Sequence, residues 1–481
     1  MDSKYLASVP EPVLDIGRRL DERTHDAVLV GGAVRDAFLD TTSVNWDLAT
    51  DASTDEIREI ASGTAGVRSL YDVGERFGTL GVALEDGSRL EVSRYRPHAL
   101  AASTLVERFA IDAQHRDFTV NAVGVDLASG TVLDPLDGKA DLMTRLLRAP
   151  GDPQERLTED PLRAIRAARF VAELCFDLEA KTAAALPTAA AALNRIAPER
   201  IREELTRLLV APLASKGLEV LNDSRALDAV LPEVAALDGV TQPTFHDLDV
   251  LAHTIQAVDL APRTPVLRWA TLLHDVGKGV TRTVEQNGRI RFFGHARAGA
   301  ETARVITARL RFSTHDAKAI VHLVATHMRL GEVDFASPRS IDRAVRRLDL
   351  RVDDATQHTL VSAEDAVELT LADFAATAHR HEAPALRRVL EDALAASRER
   401  GTRRAVVSPI SGFDIMRSFG LAEGPEVGVA KGAVEAAIEN GDLAPDDIKG
   451  AFAVAGAALG YDLEAGRLRP GHFRSDEDAC P

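Results

Sequence analysis

A chain of 481 residues, 45% of them hydrophobic, is long enough for three or four domains with buried cores. Its 57 Lys and Arg against 74 Asp and Glu give a net charge of -17, which excludes a uniformly basic nucleic-acid binder. Two cysteines without metal-ligand spacing, Cys175 and Cys480, exclude a disulfide framework and fit a reducing compartment. The first twelve residues lack the basic-then-apolar pattern of a signal peptide, and no run approaches about 18 apolar residues. The expectation is a cytoplasmic protein with no membrane span.

Residues 1–145 predict a mixed α/β head. Ala27–Val30 is a short apolar strand running into Gly31-Gly32, followed by a helix over Ala33–Leu39 and a strand around Trp46–Ala49. Gly78–Leu84 and Ser88–Ser93 form a hairpin across Glu85-Asp86-Gly87, and Thr119–Val125 with Thr131–Asp134 predict another. After Pro150 the pattern turns helical, with Thr158 as an N-cap and Glu159, Asp160 and Pro161 in the first turn. Residues 146–240 form a helical neck in which Pro198 opens a further helix. Between Arg145 and Arg207, 11 basic residues meet 10 acidic ones, so this near-neutral strip is the candidate RNA face. An ordinary solvated helix surface is the other reading. Residues 241–400 are helical and hold seven histidines between His246 and His327. Gly401–Gly412 reads as a linker into a helical tail over 401–463, and 464–481 as a disordered terminus. The fold class is α+β, with an α/β head followed by all-α domains.

The first chemical constellation is Gly31-Gly32-Ala33-Val34-Arg35-Asp36 followed by Asn45-Trp46-Asp47. Glycines between a strand and a helix let the backbone approach a phosphate, and the helix N-terminus favours the anion. In an extended segment Asn45 and Asp47 point the same way. Glu91, flanked by Leu90 and Val92, is a second acid on a predicted strand. Acids on one sheet face beside a phosphate-binding turn suit divalent metal: two Mg²⁺ ions would activate a hydroxyl and stabilise a leaving pyrophosphate. A solvated strand face is the alternative for Glu91.

These residues resemble successive motifs of the class II tRNA nucleotidyltransferases and bacterial poly(A) polymerases, of the DNA polymerase beta superfamily. The resemblance continues through Arg116-Asp117-Phe118-Thr119-Val120-Asn121-Ala122, Asp134-Pro135-Leu136-x-Gly138-x-x-Asp141-Leu142, Glu159-Asp160-Pro161-Leu162-Arg163 and Pro198-Glu199-Arg200-Ile201. It implies a polymerase-beta-like head that adds C, as CC or CCA, to tRNA 3′ ends from CTP and ATP. Asp47, Glu91 and Asn45 would hold Mg²⁺. Gly31, Gly32, Arg35, Arg116, Asp117, Asn121 and Arg166 would surround the triphosphate and ribose. Asp160 and Arg163 would serve as the amino-acid template, Asp160 accepting from the exocyclic amine of C or A and Arg163 donating to ring acceptors. A surface ion pair is the plain alternative for these two.

Two features depart from the family. Asn45 stands where its metal motif has an aspartate, removing a charge beside two divalent ions. The stretch from Arg96 to Arg116 is short, with Pro97-His98-Ala99-Leu100-Ala101-Ala102 in place of an acidic, Arg-rich flexible loop and His115 in place of an arginine. In this family a shortened loop marks the enzymes that add only CC, so the expectation leans to CC addition.

The second constellation is His253, His274-Asp275 and Asp373, with His295 and His327 completing a second metal position. Imidazoles and carboxylates converging from separate helices make a divalent-metal site. The order, with Asp275-Val276-Gly277-Lys278, resembles the HD phosphohydrolase superfamily, whose members cleave phosphoesters and occur fused to bacterial tRNA nucleotidyltransferases. His246, His315 and His322 have no assigned role. Ser411–Ile415, Phe419–Leu421 and Gly424–Gly428 resemble the tail of the same transferase family. Three rivals stand beside the main reading: a poly(A) polymerase, an HD phosphohydrolase with a decayed head, and a tRNA-binding protein without activity.

Overall fold

The structure is a computed structural model that describes residues 8–42, 45–73, 78–242, 248–353, 358–402, 408–439, 442–444, 446–462 and 467–468. The chain divides into two compact units, Met1–Glu391 and Asp392–Pro481.

The first unit begins with a seven-stranded sheet: β1 (Val28–Val30), β2 (Asn45–Thr50), β3 (Val67–Asp72), β4 (Thr79–Leu84), β5 (Arg89–Arg94), β6 (Gly124–Asp126) and β7 (Val132–Leu133), in the order β3-β4-β5-β2-β1-β6-β7. Helices α1 (Glu11–Glu22), α2 (Gly32–Phe38), α3 (Thr54–Ser62) and α4 (Leu105–Ala113) surround it. Strand alternation sorts the side chains. Leu29, Leu48, Leu90 and Val92 pack with Val13 and Ile16 of α1 and Ile57 and Ile60 of α3. Val28, Val30 and Ala49 join Phe109 of α4 on the other face. Period two then places Asn45, Asp47 and Glu91 on the face away from α1 and α3.

The predicted strand and helix at the glycine turn are present, and the β4–β5 hairpin forms. The expected strand over Thr119–Val125 does not form at its start. Thr119–Asn121 is a 3-10 turn, and the strand begins at Gly124. Side-chain bonds hold that turn: Asp117 Oδ1 accepts from Phe118 N at 2.8 Å, and Thr119 Oγ1 donates to Asp141 Oδ2 at 2.6 Å.

The α-helical region runs through α5 (Gly138–Thr144), α6 (Pro153–Glu159), α7 (Leu162–Leu174), α8 (Ala180–Ala190), α9 (Pro198–Leu209) and α10 (Ala214–Asp223). Thr158 is not an N-cap. Asp152 caps α6, whose last turn contains Thr158, and Asp160 lies between helices with extended dihedrals. Pro161 explains the break, because the residue before a proline is forced out of the helical region. Pro198 does open α9.

Helices α11 (Val250–Leu260), α12 (Pro265–Leu273), α13 (His295–Arg309), α14 (Thr314–Thr326), α15 (Pro338–Leu348) and α16 (Ala363–Ala375) follow. One apolar core joins Leu205 and Leu208 of α9 and Leu218 of α10 to Leu251, Trp269, Ile306 and Ile320, so neck and histidine-rich region share an interior. Helix α17 (Ala383–Thr402) runs into the expected linker, and Gly412 already belongs to α18 (Gly412–Phe419). With α19 (Pro425–Glu439) and α20 (Ile448–Ala458), α18 encloses the core of the second unit around Ile415, Val434 and Ala455. The expected disorder over 464–481 falls outside the described residues, except that Arg467–Leu468 pair with Tyr461–Asp462. His246 and Cys480 also lie outside them. No helix among the described residues is long and apolar enough to cross a membrane.

Candidate active site

A cleft of about 690 Å³ opens where β2, β5 and the Gly31-Gly32 turn meet α7 and α9. Eight arginines and five carboxylates line it, so a locally basic pocket sits in an acidic chain. At its floor β2 and β5 run parallel, with Asp47 paired to Glu91 and Asn45 to Arg89. Burial, reinforced by the neighbouring Glu91 carboxylate, pushes Asp47 up to about 6, with Arg116 and Arg166 opposing. A carboxylate with so raised a pKa beside a second acid is a place where added positive charge is stabilising. Asp47 and Glu91 therefore fit a divalent ion, with the Asn45 amide oxygen as a neutral third donor.

Gly31 adopts φ 75°, and a Cβ there would come 2.5 Å from Asp47 Oδ2, so glycine is required on both counts. The turn thus lies directly against the carboxylate pair and leads into α2.

Four of the predicted triphosphate residues, Arg35, Asn121, Asp117 and Arg166, form one partly buried network. Arg35 donates from Nη1 to Asn121 Oδ1 at 2.9 Å and from Nε and Nη2 to Asp36 Oδ1 at 2.9 and 2.7 Å. Asn121 Nδ2 donates to Asp117 Oδ1 at 3.0 Å. Arg166 grips Asp117 Oδ2 through Nε, at 3.1 Å, and through Nη2. Burial alone would raise Asp117, but the Arg166 charge and these hydrogen bonds outweigh it and hold the carboxyl well below its usual range. In the same contact Asp117 and Glu204 raise Arg166 above the ordinary arginine value against its own desolvation. Arg116 donates to Asp112 Oδ2 at 3.3 Å and faces the cleft.

Asp160 and Arg163 both line the cleft without pairing to each other. Asp160 Oδ1 accepts from Leu162 N at 3.2 Å and Oδ2 from Arg200 Nη2 at 3.1 Å. Arg163 is buried and donates to the carbonyls of Arg156 and His115, each at 2.6 Å. His115 in turn meets His98, with the two Nε2 atoms 2.7 Å apart, and Arg156 Nη1 lies 2.7 Å from its Nδ1. The short segment after Arg96 is therefore ordered into a 3-10 turn and α4, and it braces the backbone that holds Arg163. Sequence reasoning missed Arg169, Phe170, Arg207 and Glu204. Arg169 sits one turn beyond Arg166, a spacing that could have marked it, and Arg200 was visible within its motif.

The histidine cluster is a separate, buried centre. His253 (α11), His274 and Asp275 (after α12), His295 (α13), His327 (after α14) and Asp373 (α16) all meet there. Asp275 stands between two groups. Its Oδ2 lies 3.2 Å from His274 Nε2 and 3.9 Å from His253 Nε2, and its Oδ1 lies 3.5 and 3.9 Å from the Nε2 atoms of His295 and His327. Asp373 Oδ1 is 2.9 Å from His253 Nε2 and 3.5 Å from His274 Nε2. Each Nδ1 faces a backbone carbonyl, of Ala376, Thr271, Phe292 and Val324 in turn, at 3.2, 2.7, 2.9 and 2.7 Å. That fixes the tautomer and turns Nε2 inward, the usual outer support of metal-ligating histidines. His274 Nε2 and Asp275 Oδ2 face each other in the buried interior, and Lys278 Nζ lies 2.6 Å from the same Oδ2, so one cation already balances this carboxylate. Burial would lower His274, but the carboxylates of Asp275 and Asp373 push it up to about 10, and burial with the nearby His274 charge pushes His327 down to about 4. Donors, burial and polarity all fit divalent metal, in two groups of three that share Asp275. His322 instead contacts the Leu348 carbonyl at 2.7 Å, and His315 is exposed beside Asp316.

Comparison with known proteins bears on both centres. Residues 27–148 match a family model described as the poly A polymerase head domain, 175–237 one described as a probable RNA and SrmB-binding site of polymerase A, and 250–356 the HD domain. The chain is 36% identical over 423 residues to an A-adding tRNA nucleotidyltransferase of Deinococcus radiodurans, spanning 84% of this chain and 89% of that one. It is 35% identical over 435 residues to a CC-adding tRNA nucleotidyltransferase of Thermus thermophilus, spanning 86% and 90%. The Bacillus stearothermophilus CCA-adding enzyme solved with CTP has the same fold, with a TM-score of 0.58 and 23% identity over 92% of this chain and 95% of that one.

Proposed function

The chain belongs to the tRNA nucleotidyltransferase family, which shares its head with poly(A) polymerases, and from that premise we propose that it adds C to the 3′ end of tRNA, as CC or CCA, with the short segment after Arg96 favouring CC. CTP is the donor of C, ATP the donor where a terminal A follows, and pyrophosphate the product. The observation that supports this best is the Asp47–Glu91 carboxylate pair beside the Gly31-Gly32 turn, in one cleft with eight arginines and with Asp160.

In this reading the tRNA 3′ hydroxyl attacks the α-phosphate in line with the departing pyrophosphate. Mg²⁺ is the ion assigned to Asp47, Glu91 and Asn45; when bound it favours the hydroxyl's deprotonation and offsets charge on the leaving group. The remaining work falls to the chain itself. The backbone at Gly31 and Gly32 receives phosphate, and Arg116 and Arg166 neutralise it. Asn121 and Asp117 hold Arg35 and Arg166 in place. Arg163, anchored on two carbonyls, is a fixed donor toward a base, and Asp160 supplies the acceptor. U and G carry a carbonyl oxygen, O4 or O6, where C and A carry that amine. Arg200 and Arg207 of the neck meet the RNA backbone. The proposed domains are a head over 1–145, a neck over 146–240, an HD domain over 241–400 and a tail over 401–463, in a cytoplasmic protein. A phosphohydrolase activity at the histidine cluster is a second reading, favoured by its preformed ligand set.

The test is extension of a tRNA lacking CCA, and of one ending in CC, with Mg²⁺ and with CTP, ATP or both, read at single-nucleotide resolution. Two additions with both nucleotides present support CC addition, and three mean CCA addition. One A on the CC-ending tRNA alone would place the chain with its A-adding relative, and long ATP-only products with poly(A) polymerases. No extension, restored by Asn45→Asp, identifies a disabled transferase. No extension even then overturns the proposal and leaves the HD domain as the source of function.

A further inference from the structure

Glu204 is buried, yet it lies on α9, the helix whose Arg200 and Arg207 face the cleft. A buried carboxylate persists only when it is paired. Two arginines of α7 pair with it: Oε1 accepts from Arg166 Nη1 at 3.0 Å, and Oε2 accepts from Arg169 Nε at 2.6 Å. Arg166 turns its other edge, Nε and Nη2, to Asp117 Oδ2. Asp117 Oδ1 takes the Asn121 amide, and Asn121 Oδ1 takes Arg35 on α2. A continuous run of charged hydrogen bonds therefore joins the RNA-facing helix to the helix that follows the glycine turn.

A guanidinium shared between two carboxylates has a fixed plane. Without Glu204, Arg166 keeps Asp117 but can rotate about it, and Arg169 keeps Glu173 while losing its partner on α9. We infer that Glu204 is a positioning residue: it orients Arg166 for the triphosphate and couples that site to α9, so that tRNA and nucleotide bind with positive cooperativity. RNA phosphates drawn to Arg200 and Arg207 hold α9 against α7, and through Glu204 the same helix holds the plane of Arg166. The inference rests on the reading of the cleft as the nucleotide site.

Calorimetric CTP binding tests it, with and without a tRNA that lacks CCA and whose terminal ribose has no 3′ hydroxyl, so that no transfer occurs. The unaltered protein should bind CTP about fivefold more tightly when that tRNA is present. Glu204→Gln should weaken CTP binding about tenfold and bring the enhancement by tRNA to unity. Glu204→Asp, which keeps the charge but shortens the reach, should give an intermediate loss. If both variants lower the melting temperature but leave CTP affinity and its enhancement unchanged, Glu204 is only a fold anchor and the inference is overturned. Arg166→Ala separates the two levels. If it too leaves CTP binding unchanged, the reading of the cleft fails. If it weakens binding while the Glu204 variants do not, only the inference fails.

Discussion

In the head, two carboxylates on neighbouring strands and one amide lie on the floor of an arginine-lined cleft; in the histidine cluster, four imidazoles and two carboxylates close on one another from separate helices. Both arrangements fit cations, but by different means. The cluster is preformed: backbone carbonyls orient its rings, and His253, His274, Asp275 and His327 are buried among packed helices, while Asp373 and His295 reach a cavity. The head leaves its charge unbalanced, with Asp47 raised to about 6 by burial and by Glu91. A preformed site suits an ion that stays with the fold, and a site with unbalanced charge suits one that arrives with an anionic ligand. Asn45, where the resembled motif has an aspartate, belongs to the second kind, where one carboxylate more or less changes local charge rather than the fold.

The sharpest way to break this comparison is to remove the remaining charge from the head. Asp47→Asn should lower CTP incorporation by roughly 10³-fold or more, because no carboxylate would remain on β2 beside Glu91. Its melting temperature in EDTA should not fall. Retained activity within tenfold would mean that metal is held elsewhere. Next in size, Asn45→Asp should raise the turnover rate roughly 10- to 100-fold at saturating CTP and leave KM for tRNA unchanged. A decrease would show that the amide is matched to this cleft. The cluster should respond in the opposite sense. His274→Ala or Asp275→Asn should abolish divalent-metal retention after dialysis, measured by elemental analysis, while CC addition stays within about threefold. Loss of transfer in those variants, with the fold intact, would tie the two centres together.

Much of this was legible in the sequence because the relevant signals are local. A strand, two glycines and a helix can be read from successive residues, and the Asp47/Asn45 alternation follows from the strand. The histidine set was also legible, though its members lie on five helical segments, because the order of residue types carries the resemblance. What could not be read depends on long-range pairing. That β2 and β5 are parallel neighbours, which puts Glu91 beside Asp47, is a property of strand order. The 3-10 turn at Thr119 overrode a good alternation because Asp117 and Asp141 offered its residues better partners. Asp160 was misplaced into a helix although Pro161 stood next to it. Glu204 looks like any solvated helix glutamate until α7 supplies Arg166 and Arg169.

The smallest expected effect concerns pH and follows from the same unbalanced charge. With its folded pKa raised from the ordinary carboxyl range to about 6, Asp47 binds a proton more tightly in the folded chain than in the unfolded one. Its contribution to stability is therefore fully present below about pH 4 and is lost as pH rises through about 6. In EDTA, the melting temperature of Asp47→Asn minus that of the unaltered protein should grow by a few degrees from pH 4 to pH 6 and then level off. The difference isolates Asp47 from the other carboxyl groups, which titrate in both proteins. Adding Mg²⁺ at pH 7 should shrink the gap, since an ion bound to folded Asp47 replaces the missing proton. A gap that stays constant with pH would show that Asp47 titrates normally. The raised charge cost that sets the head apart from the histidine cluster would then be absent.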